Sequence, residues 1–414
     1  MSRKAMLCLI AALACGPAAH AQQAAPAEIK IGHVHAASGA YASISMPVYD
    51  GLKLWIDQQN AGGGAMVKPF GKKIPLKLIS YDDQSNPGTA ATLINQLITQ
   101  DKVDILVADS GSVLTAVAVP IAREHKMLLF NPTGTGAPFF TKDNPYIALL
   151  ADPASTIWPK YLAGFLTTDG VKDGLKRLAI LYATNDFTTT QANALRGFVK
   201  QSGAAIDIVY DQGVPTNTSN YGVLINNIAA AKPDAVVELG YVGNDIAFLR
   251  NLQDAGQKFK FLFALYPGVE TDEVLKNVGA QAMDHVFTYV TSQAIEYKPN
   301  VGMTLDQFRE AFEKSYKGQG VEFGFNAIAG YHSGLMIGQA LADTDSLQQL
   351  DLRRALFAQS GKVTTLDGTF ELDDTGAQIG EITPLGQIIA DPKGAVRNVV
   401  VFPHELAAGK PLYE

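Results

Sequence analysis

Two short stretches hold the residue types that suit a small anion. The first is Asp109-Ser110-Gly111-Ser112, which follows the apolar run Val103 to Ala108. The second is Asn131-Pro132-Thr133-Gly134-Thr135-Gly136, which follows Met127 to Phe130. The hydroxyls of Ser110, Ser112, Thr133 and Thr135, free backbone N–H groups and the N-terminus of a helix beginning near Val113 together suit a carboxylate. The first run has the length and β-branched content of a buried parallel strand and the second is a shorter apolar run, so both turns would lie at the carboxyl edge of one sheet, where open α/β sheets bind ligands. Two ordinary strand-to-helix turns with caps would have the same composition. The turns alone leave both readings open.

Other chemistry is weaker. His33 and His35 share one strand face and could form a metal pair, but no third ligand accompanies them, and two polar residues near a strand end are the simpler account. Asp82 and Asp83 are adjacent on a strand end and point in opposite directions, which suits helix capping better than paired acid–base work. No G-x-G-x-x-G follows the first strand, Gly71-Lys72-Lys73 lacks the rest of a P-loop, and no G-x-S-x-G elbow is present. No catalytic residue, metal or cofactor is assigned.

The chain has 414 residues, which favours two domains, and 47% hydrophobic with 18% charged residues describes a globular protein. A net charge of −7 without a basic block disfavours nucleic acid or an anionic membrane as partner. Residues 1–21 read as a secretory signal peptide: Arg3 and Lys4, the apolar Ala5 to Ala14, and an Ala19-His20-Ala21 cleavage site. Its removal takes the net charge from −7 to −9 and removes both cysteines, Cys8 and Cys15, and with them disulfides and thiolate chemistry. Ala12-Leu13-Ala14-Cys15 competes as a lipoprotein box that would retain an acylated Cys15.

The elements that would position the turns alternate. Strands are expected at Ile29 to Val34, Ile74 to Tyr81, Lys176 to Ala183, Ile206 to Tyr210, Ala235 to Leu239 and Phe259 to Leu265, with helices between them. Asp143 to Pro159, with three prolines, reads as the first crossing between domains. Past His285 the rhythm breaks into consecutive helices, a hairpin turning at Asp367-Gly368 and two late strands. This is an α/β chain with a coarse two-fold pattern and a cleft between its halves.

The order of IKIGHVHAASGAY, ISYDDQSNPGTA, ADSGS, LLFNPTGT and LRNLQDAG resembles the leucine/isoleucine/valine-binding type of periplasmic substrate-binding protein, the receptor of an ABC importer, from Ile29 to about Ile389. The resemblance implies the type I periplasmic binding protein fold: two Rossmann-like lobes with parallel central sheets flanked by helices, joined by three crossover strands. Lobe 1 would comprise 28–151 and 289–380, and lobe 2 would comprise 152–288 and 381–414. It implies that Ser112, with Ser110 as rival, and Thr135, with Gly134 beside it, hold a ligand carboxylate, with Thr133 and Tyr41 on neighbouring turns. Phe187 and Tyr241 match aromatic positions of the second lobe. Where amino-acid-binding relatives place an acid for the ammonium group, this chain has Leu265-Tyr266-Pro267-Gly268, and the nearest acid is Glu270. Either Glu270 serves, or the ligand is an aromatic or aliphatic acid or amide, with Tyr266 against its body. The resemblance further implies a periplasmic, monomeric, non-enzymatic protein that delivers its ligand to an ABC permease. A ligand-sensing receptor with the same fold is the alternative.

Overall fold

The computed structural model describes residues 24–321 and 323–413. The stretch read as a signal peptide, both cysteines and the lipoprotein-like box lie outside them.

Five parallel strands form the first sheet. Leu76–Asp82, Ile29–His35, Ile105–Val107, Leu129–Asn131 and Ile147–Leu149 lie side by side in that order. Ile31 pairs with Leu78 on one side and Ile105 on the other. Alternate residues are buried on opposite faces. Ile29, Ile31, Ile105, Val107 and Phe130 pack with the helices Ala42–Ala61 and Phe325–Asp343. Val34, Leu106, Ala108 and Leu129 pack with the helices Pro87–Gln96 and Ser112–Glu124. Burial on both faces explains why Ile105–Val107 and Ile147–Leu149 read as continuous apolar runs.

The second sheet has seven strands, in the order Val396–Phe402, Leu385–Ala390, Phe287–Tyr289, Phe261–Phe263, Ala235–Leu239, Arg177–Ala183 and Asp207–Val214. The strands from Arg177 to Tyr289 run parallel. The two late strands add to the edge in antiparallel fashion, with Phe287 opposite Gln387 and Gln387 opposite Val399. The expected strands are present, most of them shifted by one to three residues.

The chain passes between the sheets in three irregular segments, around 150–159, 290–304 and 371–384. After the second passage it returns to the first core, where Phe308, Phe312, Ile328 and Leu352 join Ile29 and Phe130. The hairpin lies there too, as Val363–Thr365 against Gly368–Phe370. No described helix is long and apolar enough to cross a membrane.

Candidate functional site

The helix Ser112–Glu124 starts from Gly111, at φ 79° and ψ 156°. Only glycine adopts that backbone without strain, and it aims the first N–H groups of the helix at the space between the lobes. The cap differs from the sequence expectation, because no side chain caps this helix. Ser110 is turned to the neighbouring turn instead. Its Oγ lies 2.9 Å from Thr133 Oγ1, which also accepts from the Gly111 N–H at 2.9 Å.

Ser112 Oγ accepts from the N–H groups of Thr135, at 3.1 Å, and Gly136, at 3.2 Å. Thr135 Oγ1 lies 2.7 Å from Ser155 Oγ in the first crossing. A Cβ on Gly134 would stand 2.3 Å from Thr115 Oγ1, so only glycine lets this turn lie on the helix. The two turns are thus a hydrogen-bonded unit.

Across the gap, each aromatic sits where a strand gives way to a helix. Phe187 opens the helix Asp186–Ser202 behind its Asn185 cap, whose side chain accepts from the N–H groups of Phe187 and Thr188. Tyr241 precedes the helix Val242–Asp254, and Tyr266 opens a short 3-10 turn. The rings form a chain, with centroids 5.6 Å apart for Phe187 and Tyr241 and 6.2 Å for Tyr241 and Tyr266. Such spacings suit offset aromatic contacts. Trp158 stands edge-on to Phe187 at 5.3 Å and to Phe325 at 6.5 Å.

Ser110, Ser112 and Thr133 on one side and Phe187, Tyr241 and Tyr266 on the other line one cavity of about 20 Å³. That is room for about one water. The lobes touch around it. The Ala137 N–H donates to Thr190 Oγ1 at 3.2 Å, Tyr41 meets Tyr241 at 5.6 Å, and Asn326 Nδ2 donates to Glu270. The Tyr241 hydroxyl faces the N–H groups of Ser112 and Val113 without reaching hydrogen-bond geometry with either. Burial pushes its pKa upward, so it is a neutral phenol.

Not every expected residue lines this cavity. Thr135 and Gly134 lie behind it, shaping the turn. Tyr41 lines a groove at the outer rim with Thr216 and Asn244, and Glu270 lines a wider opening with Asp50 and Gln293. The cavity also draws on Ile44, Asp152, Trp158, Val269, Phe325 and Asn326, which the sequence reading did not single out. Trp158 and Asp152 fall in the proline-rich crossing, and that was the one available signal.

Other polar groups prove to be scaffolding. Asn86, not Asp82 or Asp83, caps the helix Pro87–Gln96, its Oδ1 accepting from Gly88 and Thr89. Asp82 Oδ1 accepts instead from the N–H groups of Ala37 and Gln84. His33 and His35 stack at 6.0 Å with Tyr49 against them. Burial lowers the His33 pKa to about 3, so that imidazole is neutral. Glu238 and Asp245 are both buried beneath the Tyr241 turn, and Asp245 Oδ2 accepts from the Tyr266 N–H at 2.6 Å. Glu238 Oε2 and Asp245 Oδ1 are buried without a hydrogen-bond partner. Burial raises both pKa values, to about 6 for Asp245.

Two lobes meeting at such a cleft invite comparison with known proteins. The family described as "Periplasmic binding protein" matches residues 28–391. The chain belongs to the periplasmic binding protein family. It is 25% identical over 325 residues to Leu/Ile/Val-binding protein homolog 8 of Brucella suis, covering 77% of each chain. In fold it is similar to the substrate-binding protein LivJ of Streptococcus pneumoniae in complex with isoleucine, with a TM-score of 0.73 at 19% identity over 91% of this chain and 100% of that one. It is also similar to an ABC transporter solute-binding protein of R. palustris in complex with benzoate, with a TM-score of 0.71 at 20% identity over 90% of this chain and 96% of that one. These are type I periplasmic binding protein folds, as this chain's is.

Proposed function

We propose that the chain is the solute-binding component of an ABC importer, working outside the cytoplasmic membrane as a monomer, and that it binds a small carboxylate-bearing solute between its lobes. The observation that carries this reading is the joined pair of turns at Ser110–Ser112 and Thr133, set at a helix N-terminus opposite Phe187, Tyr241 and Tyr266. Backbone N–H groups and hydroxyls suit the carboxylate, and the rings suit an apolar body. Two structural relatives hold isoleucine and benzoate, both carboxylates. Ser110, Ser112, Thr133, Phe187, Tyr241 and Tyr266 are the proposed contacts. Thr135 and Gly134 hold the turn, and Tyr41 and Glu270 act at the rim. Only a small space lies between the touching lobes, so solute enters when they part about the three passages and is enclosed when they close. The closed form would be what a permease recognises. The cleft is assigned no reaction, because no nucleophile–base pair of the usual kinds is evident in the sequence.

A thermal-shift screen of amino acids, aromatic acids, aliphatic acids and amides, followed by calorimetry, tests the reading. A tight carboxylate raises Tm by mass action. Shifts with neutral amides alone, and none with any carboxylate, would sink it.

A further inference from the structure

Three side chains from the first lobe and the third passage close on one point. His332 comes from the helix Phe325–Asp343, Asp367 from the turn of the hairpin, and Glu381 from the passage at 371–384. They are 0%, 1% and 4% exposed. One ligand atom of each lies within 4.8 Å of the other two. His332 Nδ1 stands 3.4 Å from Asp367 Oδ2 and 3.8 Å from Glu381 Oε1. Burial lowers the His332 pKa to about 3, so neither approach is an ion pair, and the neutral ring keeps a lone pair for a metal.

The acids are short of partners. Neither carboxyl oxygen of Asp367 has a hydrogen-bond partner. Asp152, at the start of the first passage, is 5% exposed, and its Oδ1 is unpartnered too. Asp367 repels Asp152, and both repel Glu381. Among the described residues, no Lys or Arg pairs with any of the three acids. Burying such a group of acids is costly unless something positive completes it.

The spacing says what would complete it. Bonds of about 2.0–2.2 Å from a tetrahedral zinc ion set neighbouring ligand atoms roughly 3.3–3.6 Å apart. The separations at His332 Nδ1 are close to that. An imidazole among the donors favours a first-row transition ion over calcium or magnesium. Two carboxylates and a neutral ring carry two negative charges, which one divalent ion cancels. We propose that His332, Asp367 and Glu381 bind a structural divalent ion of the zinc type. The ion fastens the third passage to the helix and the hairpin of the first lobe. The site shares no residue with the proposed solute contacts, so it stands whatever the solute is.

Untagged protein refolded from urea with zinc, then dialysed against metal-free buffer, tests it. We expect about one retained equivalent of zinc, and a Tm about 5 °C above that of protein refolded with a chelator. Asp367→Asn and His332→Gln should each weaken zinc binding at least tenfold and abolish the Tm difference. Cobalt(II) in place of zinc should give the wild type the strong visible absorption of a tetrahedral site, a readout that holds even where a variant does not fold. The proposal is overturned if the wild type retains no zinc, if calcium or magnesium is retained in its place, or if retention survives both substitutions. Protons shared among the acids would also cancel their charge, and that alternative gives no retained metal and no effect of chelator on Tm.

Discussion

Ser112 Oγ accepts hydrogen bonds from the backbone N–H groups of both Thr135 and Gly136, so a side chain on one turn holds the next turn in place. Ser112→Ala leaves two buried donors without their acceptor. We expect a loss of about 1–3 kcal/mol in stability, together with weaker solute binding, because the turn that presents Thr133 loosens. Thr135→Ala should differ. Its hydroxyl is engaged with Ser155, so stability should fall by about 1 kcal/mol with affinity changed little. Urea unfolding and calorimetry on both variants separate the roles. A larger affinity loss in Thr135→Ala than in Ser112→Ala would contradict the geometry.

Gly111 combines a positive φ with an extended ψ at the helix start. Gly111→Ala forces an L-residue into that region, at roughly 1–3 kcal/mol. Its Cβ would also stand 3.3 Å from Ile44 Cδ1 and 3.5 Å from the Tyr241 hydroxyl, inside the cleft. We expect a lower Tm and at least a tenfold weaker solute affinity. An unchanged Tm would show that this backbone is not strained.

Asn326 on the Phe325–Asp343 helix donates to Glu270 across the lobes. Asn326→Ala removes the donor, so the touching arrangement should be less populated. Small-angle scattering of the solute-free protein should then show a larger radius of gyration than wild type. Equal radii would mean that this bond does not hold the lobes together.

The buried carboxyl groups of Glu238 and Asp245 have a definite effect on stability. Both pKa values are raised in the folded chain, Asp245 to about 6. The folded state therefore binds more protons than the unfolded state above the ordinary carboxylate range, and stability contributed by the pair falls as pH rises from about 4 through 6. Glu238→Gln removes one of the two titrating groups and should flatten that part of the profile. Denaturant midpoints of wild type and variant across this range provide the check, and parallel slopes would refute a raised Glu238 pKa.

The sequence revealed the sheets because burial on both faces leaves an unbroken apolar run, as at Ile105–Val107 and Leu178–Leu181. It pointed to Ser110 and Thr133 because residues just past a strand share one edge of the sheet, and the family resemblance added Phe187 and Tyr241. It did not separate Ser112, which faces both the cavity and the next turn, from Thr135, whose hydroxyl is drawn back to Ser155. That choice depends on χ1 and on a partner 20 residues away. Asp152, Trp158 and Asn326 were missed for a related reason. They come from the first passage and from the Phe325–Asp343 helix, and no local pattern records that segments this far apart converge on one cavity.

Tyr241 places its phenol before the first amides of the helix that starts at Ser112, the place proposed for the solute's acid group. On the function proposed above, the phenol and the solute's acid group would compete for the same amides. Loading becomes an exchange of one occupant for another, and the measured affinity is the difference between the two.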